Sequence, residues 1–232
     1  MNCRKTALLL AVLVSVLLMA SGCDNKPKGT KFGNQTNGIY LTERLHLMDS
    51  MVAEFDTSKY VLEEYRAFLD EEIDAYNESH PFEKPADEYD RDGKLIPQEV
   101  TAPIAVRKCE VSNNWIFQEL VYATNADFLK YNESTLEKER GGKKLLTGYL
   151  SYVDAEIIDL SYVNAKGESV SVRSLCESSK ADQYMYIVVD FEANLYGEGE
   201  LVCWHGGKYN AENDFLEVPA GTYAVAVFKI SK

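Results

Sequence analysis

Tyr184–Phe191 reads YMYIVVDF, and only Asp190 interrupts its apolar and aromatic character. A strand with one wet face alternates apolar and polar side chains, whereas this run does not alternate. It therefore predicts a central strand covered on both faces. The segments around it supply its neighbours. Glu200–His205, Phe215–Val218 and Thr222–Ile230 are strand-like, with Pro219-Ala220-Gly221 as a turn. Upstream, Glu156–Val163 and Ser169–Leu175 flank the turn-prone Asn164-Ala165-Lys166-Gly167.

The first half of the chain adds helix. From Ser58 to Asn77 (SKYVLEEYRAFLDEEIDAYN), Val61, Leu62, Tyr65, Phe68, Leu69, Ile73 and Tyr76 fall on one arc of about 140° at helical spacing. Asp56, Thr57 or Ser58 can cap that helix, and Glu63 and Glu64 suit its positive end. Ile39–Phe55 predicts a strand or hairpin with its turn near Asp49. Thr101–Val111 and Trp115–Ala123 flank Ser112-Asn113-Asn114 as a hairpin. Thr124-Asn125-Ala126-Asp127 resembles a capping box that opens a short helix, and Gly141-Gly142 ends it. Strands outnumber helices and do not alternate with them regularly. The expected class is α+β, a mainly antiparallel sheet with one long amphipathic helix and one short helix.

The N-terminus has a separate logic. Arg4 and Lys5 precede an apolar run, Ala7–Ala20, broken only by Ser15. Those fourteen residues would rise about 21 Å as a helix, short of the roughly 30 Å hydrocarbon core. A secretory signal fits better than a spanning helix. The run then collapses into Ala20-Ser21-Gly22-Cys23, followed by polar chain. This pattern resembles a bacterial lipobox, although Met19 and Ala20 stand where the family usually places Leu at the third position before the cysteine. The resemblance implies cleavage before Cys23 and a diacylglycerol thioether on its sulfur. The expected organisation is a signal peptide over 1–22 and a tether over 23–38. A globular domain over 39–232 follows, divisible into two small subdomains near 141–147. The tether (DNKPKGTKFGNQTNG from Asp24) is nearly free of apolar side chains and reaches roughly 20–25 Å. Its Lys26, Lys28 and Lys31 lie close to anionic headgroups.

Two further stretches, FDTSKYVLEEYRAFLDEEIDAYN (55–77) and LVYATNADFLKYN (120–132), resemble uncharacterised lipoproteins of Clostridia-like Gram-positive bacteria. This second resemblance covers about a third of the chain. It implies a location, the outer face of a single membrane, and no activity.

The formal net charge is −13, and loss of Arg4 and Lys5 makes the mature chain more negative by two. Such a surface repels polyphosphate backbones, which argues against nucleic acid as a partner. With Cys3 removed and Cys23 acylated, Cys109, Cys176 and Cys203 remain, so at most one disulfide can form among them.

Candidate chemistry is sparse. Glu88–Glu99 (EYDRDGKLIPQE) places Glu88, Asp90, Asp92 and Glu99 at positions 1, 3, 5 and 12 of a calcium loop, with Gly93 at the sharp bend. Glu in place of Asp at the first position, and Pro81, Pro85 and Pro97, count against Ca²⁺. An acidic turn centred on Asp92-Gly93 explains the same residues. Cys203 and His205, two apart on a strand, share a face and suggest a nucleophile and base, yet a strand end before Gly206-Gly207 also accounts for them. Glu72 falls inside the apolar arc of the helix, where it needs a partner or snorkels outward. Fifteen tyrosines with Trp115 and Trp204 suit sugar stacking and equally suit half-buried strands. Two function classes follow. One is a non-enzymatic surface module binding a protein, glycan or cell-wall ligand. The other is a small surface hydrolase or thiol-dependent enzyme. Convergence of Glu72, Arg107 or His205 in one pocket would favour the enzyme.

Overall fold

The computed structural model describes residues 37–82 and 100–230. The signal, Cys23, residues 24–36 of the tether and the whole acidic loop Glu88–Glu99 lie outside the described residues. The last two tether positions belong to the fold, Asn37 accepting from the Val52 N–H and Gly38 opening the first strand. What is described is a mixed α/β protein whose sheets are mostly antiparallel.

The strands of the first half are β1 (Gly38–Leu41), β2 (Leu47–Glu54), β3 (Ile104–Ser112) and β4 (Trp115–Tyr122). The second half supplies β5 (Leu145–Tyr149), β6 (Tyr162–Val163), β7 (Ser169–Val170), β8 (Tyr184–Val189) and β9 (Ala193–Gly197). The last four are β10 (Glu200–His205), β11 (Lys208–Asn210), β12 (Phe215–Val218) and β13 (Ala224–Lys229). They form a seven-stranded sheet, β11-β12-β9-β1-β2-β4-β3, and a six-stranded sheet, β5-β8-β13-β10-β6-β7. One pairing is parallel: β1 runs beside β9, with Ile39 opposite Leu195.

β8 confirms the reading of YMYIVVDF. Met185, Ile187 and Val189 turn into a core shared with Ile39, Leu41, Leu47 and Leu120 of the larger sheet. Tyr186 and Val188 turn the other way, onto Leu150, Ile157, Tyr162 and Val172. Met185 and Ile187–Val189 are fully buried. The layer of short helical turns over 150–176 thus covers the back of the smaller sheet. The main core draws on residues from both sides of 141–147, Leu145 among them.

Helix α1 (Leu62–Ser79) closes the rest of the core by lying on β3 and β4, with Tyr65, Leu69 and Ile73 buried. Its polar contacts fix its position. Tyr65 donates to Gln118 Oε1, and Arg66 Nε donates to the Cys109 carbonyl at 2.9 Å. The Asn77 amide bonds both backbone groups of Ile104, at 2.9 and 3.0 Å. The helix begins later than the sequence predicts. Asp56 caps a preceding turn through the Ser58 N–H at 3.0 Å, and Val61, 50% exposed, stands outside the packed stripe.

Helix α2 (Asn125–Tyr131) follows its capping box: the Thr124 hydroxyl accepts from the Asp127 N–H at 3.1 Å. Helical turns then continue to Gly141, whose φ of 77° ends them as expected. The β3–β4 hairpin turns on Asn113 and Asn114, both at positive φ (52° and 63°). Asn164–Gly167 also turns as read, with Gly167 at φ 75° and the Asn164 side chain accepting from Lys166 and Glu168.

Three readings need correction. The turn in 39–55 falls at 42–46, with Leu45 at φ 64°, and β2 runs straight through Asp49. Asp49 pairs with Ile39 and so faces the core; burial raises its carboxyl above the usual value, and Arg140 nearby pulls it down. A charge inside a strand looks like a turn residue in sequence alone. Glu156–Val163 and Ser169–Leu175 keep only two strand residues each. Helical turns at Ala155–Ile158 and Val172–Cys176 replace the rest, the second capped by Ser171. Finally, β5, β9 and β11 are strands the sequence did not announce. β9 contains Gly197, where an added Cβ would sit 2.5 Å from the Phe228 ring, so the glycine marks close packing and not a loop.

Candidate functional site

Alternation along β2 and β4 sends Leu47 and Leu120 inward and Met48 and Val121 outward, to the face of the larger sheet away from the shared core. On that outer face the strand registers line up one row. Tyr196 of β9 stands opposite Tyr40 of β1, Tyr40 opposite Met48, Met48 opposite Val121, and Val121 opposite Ala105. This row floors a cavity of about 630 Å³. Five adjacent strands at 4.7–4.9 Å spacing make the floor about 19 Å long, so the cavity is a trough running across the strands.

Polar groups stand at its two ends. At the β3 end a bulge breaks the β3–β4 register between Val106 and Lys108. The extra residue is Arg107, and it lines the trough. Bulges of this kind re-aim a side chain. Glu119 holds Arg107 from below, with Nε 3.7 Å from Oε2; the Glu119 side chain is 7% exposed and that of Arg107 is 55% exposed. Burial raises the Glu119 carboxyl, and the cations Arg107 and Lys108 hold that rise down. Arg107 Nη1 also donates to Met48 Sδ at 2.8 Å, a weak acceptor. At the opposite end Glu198 follows β9, and Asn213 and Asp214 precede β12. Glu198 Oε2 accepts from the Glu43 N–H at 2.8 Å, and Asp214 Oδ1 accepts from the Tyr209 hydroxyl at 2.9 Å.

Comparison with protein-family models, with curated proteins and with solved structures gives no match. The site therefore stands on its own geometry.

The residues singled out in the sequence lie elsewhere. Glu72 is exposed on α1, the outward stem the snorkelling alternative expects. Cys203 is fully buried in the layer behind the smaller sheet, and burial pushes its thiol up to about 12. His205 Nδ1 lies 2.9 Å from the Ser161 carbonyl oxygen, between the rings of Tyr162 and Tyr223. β10 ends there, before Gly206 and Gly207 at φ 66° and 69°. Of Glu72, Arg107 and His205, the trough takes Arg107 alone. Cys109, Cys176 and Cys203 are all free thiols. Among the described residues no group of three His, Cys, Asp or Glu is placed to hold a metal ion.

The thiols give a direct prediction. Iodoacetamide at pH 7 should alkylate Cys176, which is half-buried, ahead of Cys109 and Cys203, which react only on unfolding. Rapid labelling of Cys203 in the native protein, mapped by peptide mass, would restore the thiol-enzyme reading.

Nothing in the sequence marks Tyr40, Tyr196, Glu198 and Asp214 as a set, because they come from three separate segments: β1, β9 with the residue after it, and the approach to β12. Only the excess of tyrosine hinted at an aromatic surface.

Proposed function

We propose that this chain is a membrane-anchored surface lipoprotein whose folded part is a binding module, seating an extracytoplasmic ligand in the trough. Cys23 carries the anchor, residues 24–36 span the distance from the bilayer, and the domain presents its ligand outward. The observation that carries the binding reading is the trough, a cavity of about 630 Å³ with an aromatic and aliphatic floor and charged ends. That size and mixture suit a small-molecule or peptide ligand. A protein, glycan or cell-wall fragment can supply such a group. Within this reading α1 is the amphipathic cover of the core, and on the opposite sheet face, where Val100 and Phe82 pack with Met48 and Val121, the remaining trough serves recognition.

Two facts favour binding over catalysis. Among the described residues the trough's lining has no cysteine, serine or histidine, and the buried Cys203 thiol is far from nucleophilic. A formal charge of −13 speaks against nucleic acid. Among the described residues no helix is long and apolar enough to cross a membrane, so a membrane location rests on the anchor.

The test is a thermal-shift screen of the full chain in detergent against wall-derived sugars, amino sugars and short peptides. Ala105→Phe fills one end of the floor without removing a charged group. A ligand that raises the melting temperature of the wild type and leaves that of Ala105→Phe unchanged meets the expectation. Equal stabilisation of both proteins would place binding elsewhere.

A further inference from the structure

Opposite charge at the two ends of one long trough restricts what it can hold. At the β3 end stands Arg107, the one cation among the described residues lining the cavity. Its contacts, a 3.7 Å approach to Glu119 and a thioether, leave most of its five N–H donors for a ligand. The bulge supplies both Arg107 and Lys108 where the partner strand supplies Glu119 alone. Lys108 is engaged elsewhere, with Nζ 2.9 Å from Glu110 and over the Phe117 ring at 5.5 Å. That division of labour leaves Arg107 to the trough.

The other end offers acceptors. Among the described residues the Glu198 and Asp214 carboxylates each have one hydrogen-bonded donor, a backbone N–H and a tyrosine hydroxyl. A carboxylate accepts about four hydrogen bonds. Such a pair suits an ammonium group. A planar guanidinium suits a carboxylate, which it can grip with two parallel bonds. Arg107 Nη1 reaches as far as Met48, and Met48 and Val121 are buried with Val100 and Phe82, so the floor between the guanidinium and the two carboxylates is the half-buried Tyr40 ring.

From these features we propose that the trough binds a short peptide with both termini free, its carboxylate on Arg107 and its ammonium on Glu198 and Asp214. Length sets the size. The floor is about 19 Å long, the Arg and Glu side chains reach inward from its ends, and roughly 10 Å remains. An extended chain advances about 3.3–3.6 Å per residue, so about three residues fit. The middle side chain lies on the Tyr40 ring and is apolar. This inference rests on the trough being the binding site and adds the class of ligand.

Calorimetry of the full chain in detergent tests it with Ala-Leu-Ala, its N-acetyl form and its C-terminal amide. The free tripeptide should bind, and each blocked form should lose about tenfold or more, since each block removes a charge-assisted contact. Arg107→Gln should abolish the distinction between acid and amide and keep the distinction between amine and acetyl. The paired change Glu198→Gln with Asp214→Asn should do the reverse. The blocked peptides probe wild-type protein, so the comparison survives failure of any variant to fold. If all three forms bind alike and Ala105→Phe weakens them, the ligand class is wrong and the trough stands as the site. If Ala105→Phe leaves their binding untouched, the trough itself is wrong. No binding of any form at millimolar concentration overturns the peptide assignment, and the wider screen then judges the trough.

Discussion

Phe128→Ala should cost the protein about 3–5 kcal/mol, the usual range for removing a fully buried aromatic ring. Phe128 is completely buried at the first turns of α2. Its ring meets Tyr122 of β4 edge-on at 5.1 Å and stacks with Phe191, just past β8, at 6.2 Å. It therefore packs the larger sheet, the smaller sheet and α2 against one another. Its loss opens a cavity where three elements meet, and moving Tyr122 in to fill it would break the 3.2 Å bond that its hydroxyl accepts from the Asn132 amide. For a domain of this size the melting temperature should fall by roughly 6–20 °C. Phe128→Leu, which keeps most of the volume, should cost well under half as much. Tyr152→Ala is the control, since that ring is 85% exposed and its removal should stay within about 0.5 kcal/mol. Thermal unfolding by circular dichroism reads all three. A Phe128→Ala protein that melts with the wild type would refute the shared core.

Cys23→Ser should abolish membrane retention. Each buried methylene contributes about 0.8 kcal/mol, yet one acyl chain gives only marginal attachment, so stable anchoring depends on the two or three chains carried by a single modified residue. Serine offers no thiolate for the thioether. Lys26, Lys28 and Lys31 remain, but at about 1 kcal/mol each in low salt they cannot hold a domain whose net charge is strongly negative. The measurement is membrane fractionation after a high-salt wash, with mass spectrometry of the N-terminal peptide. Wild-type protein should sediment and begin at an acylated residue 23, and Cys23→Ser should appear in the soluble fraction. A native polypeptide that begins elsewhere, or carries no lipid, would end the anchor proposal.

How far the sequence could be read depended on whether a signal was local. YMYIVVDF announced a doubly covered strand because its own composition excludes a wet face. The Asn113-Asn114 hairpin and the Thr124 cap were equally plain, since turn and cap chemistry belong to four or five adjacent residues. β9 was hidden because Gly197 looks like a loop residue until the Phe228 ring that needs the space is known. Asp49 misled for the opposite reason: a carboxylate inside a strand makes sense only beside Arg140, ninety residues away. The trough was the least legible feature. Its floor takes one residue from each of five strands, and the position of Arg107 depends on a bulge that no turn residue advertises.

The side-by-side pairing of β1 with β9 sets the order in which this protein can be completed. Ile39 is among the first residues of the fold to be synthesised, and Leu195 follows only after more than one hundred and fifty others. Until then β1 has β2 on one flank and nothing on the other, and β12 and β11 have no sheet to join. A parallel strand this distant in sequence is slow to recruit. The larger sheet consequently closes only once the final quarter of the chain is available, a schedule that would suit the unfolded export that the proposed anchor requires.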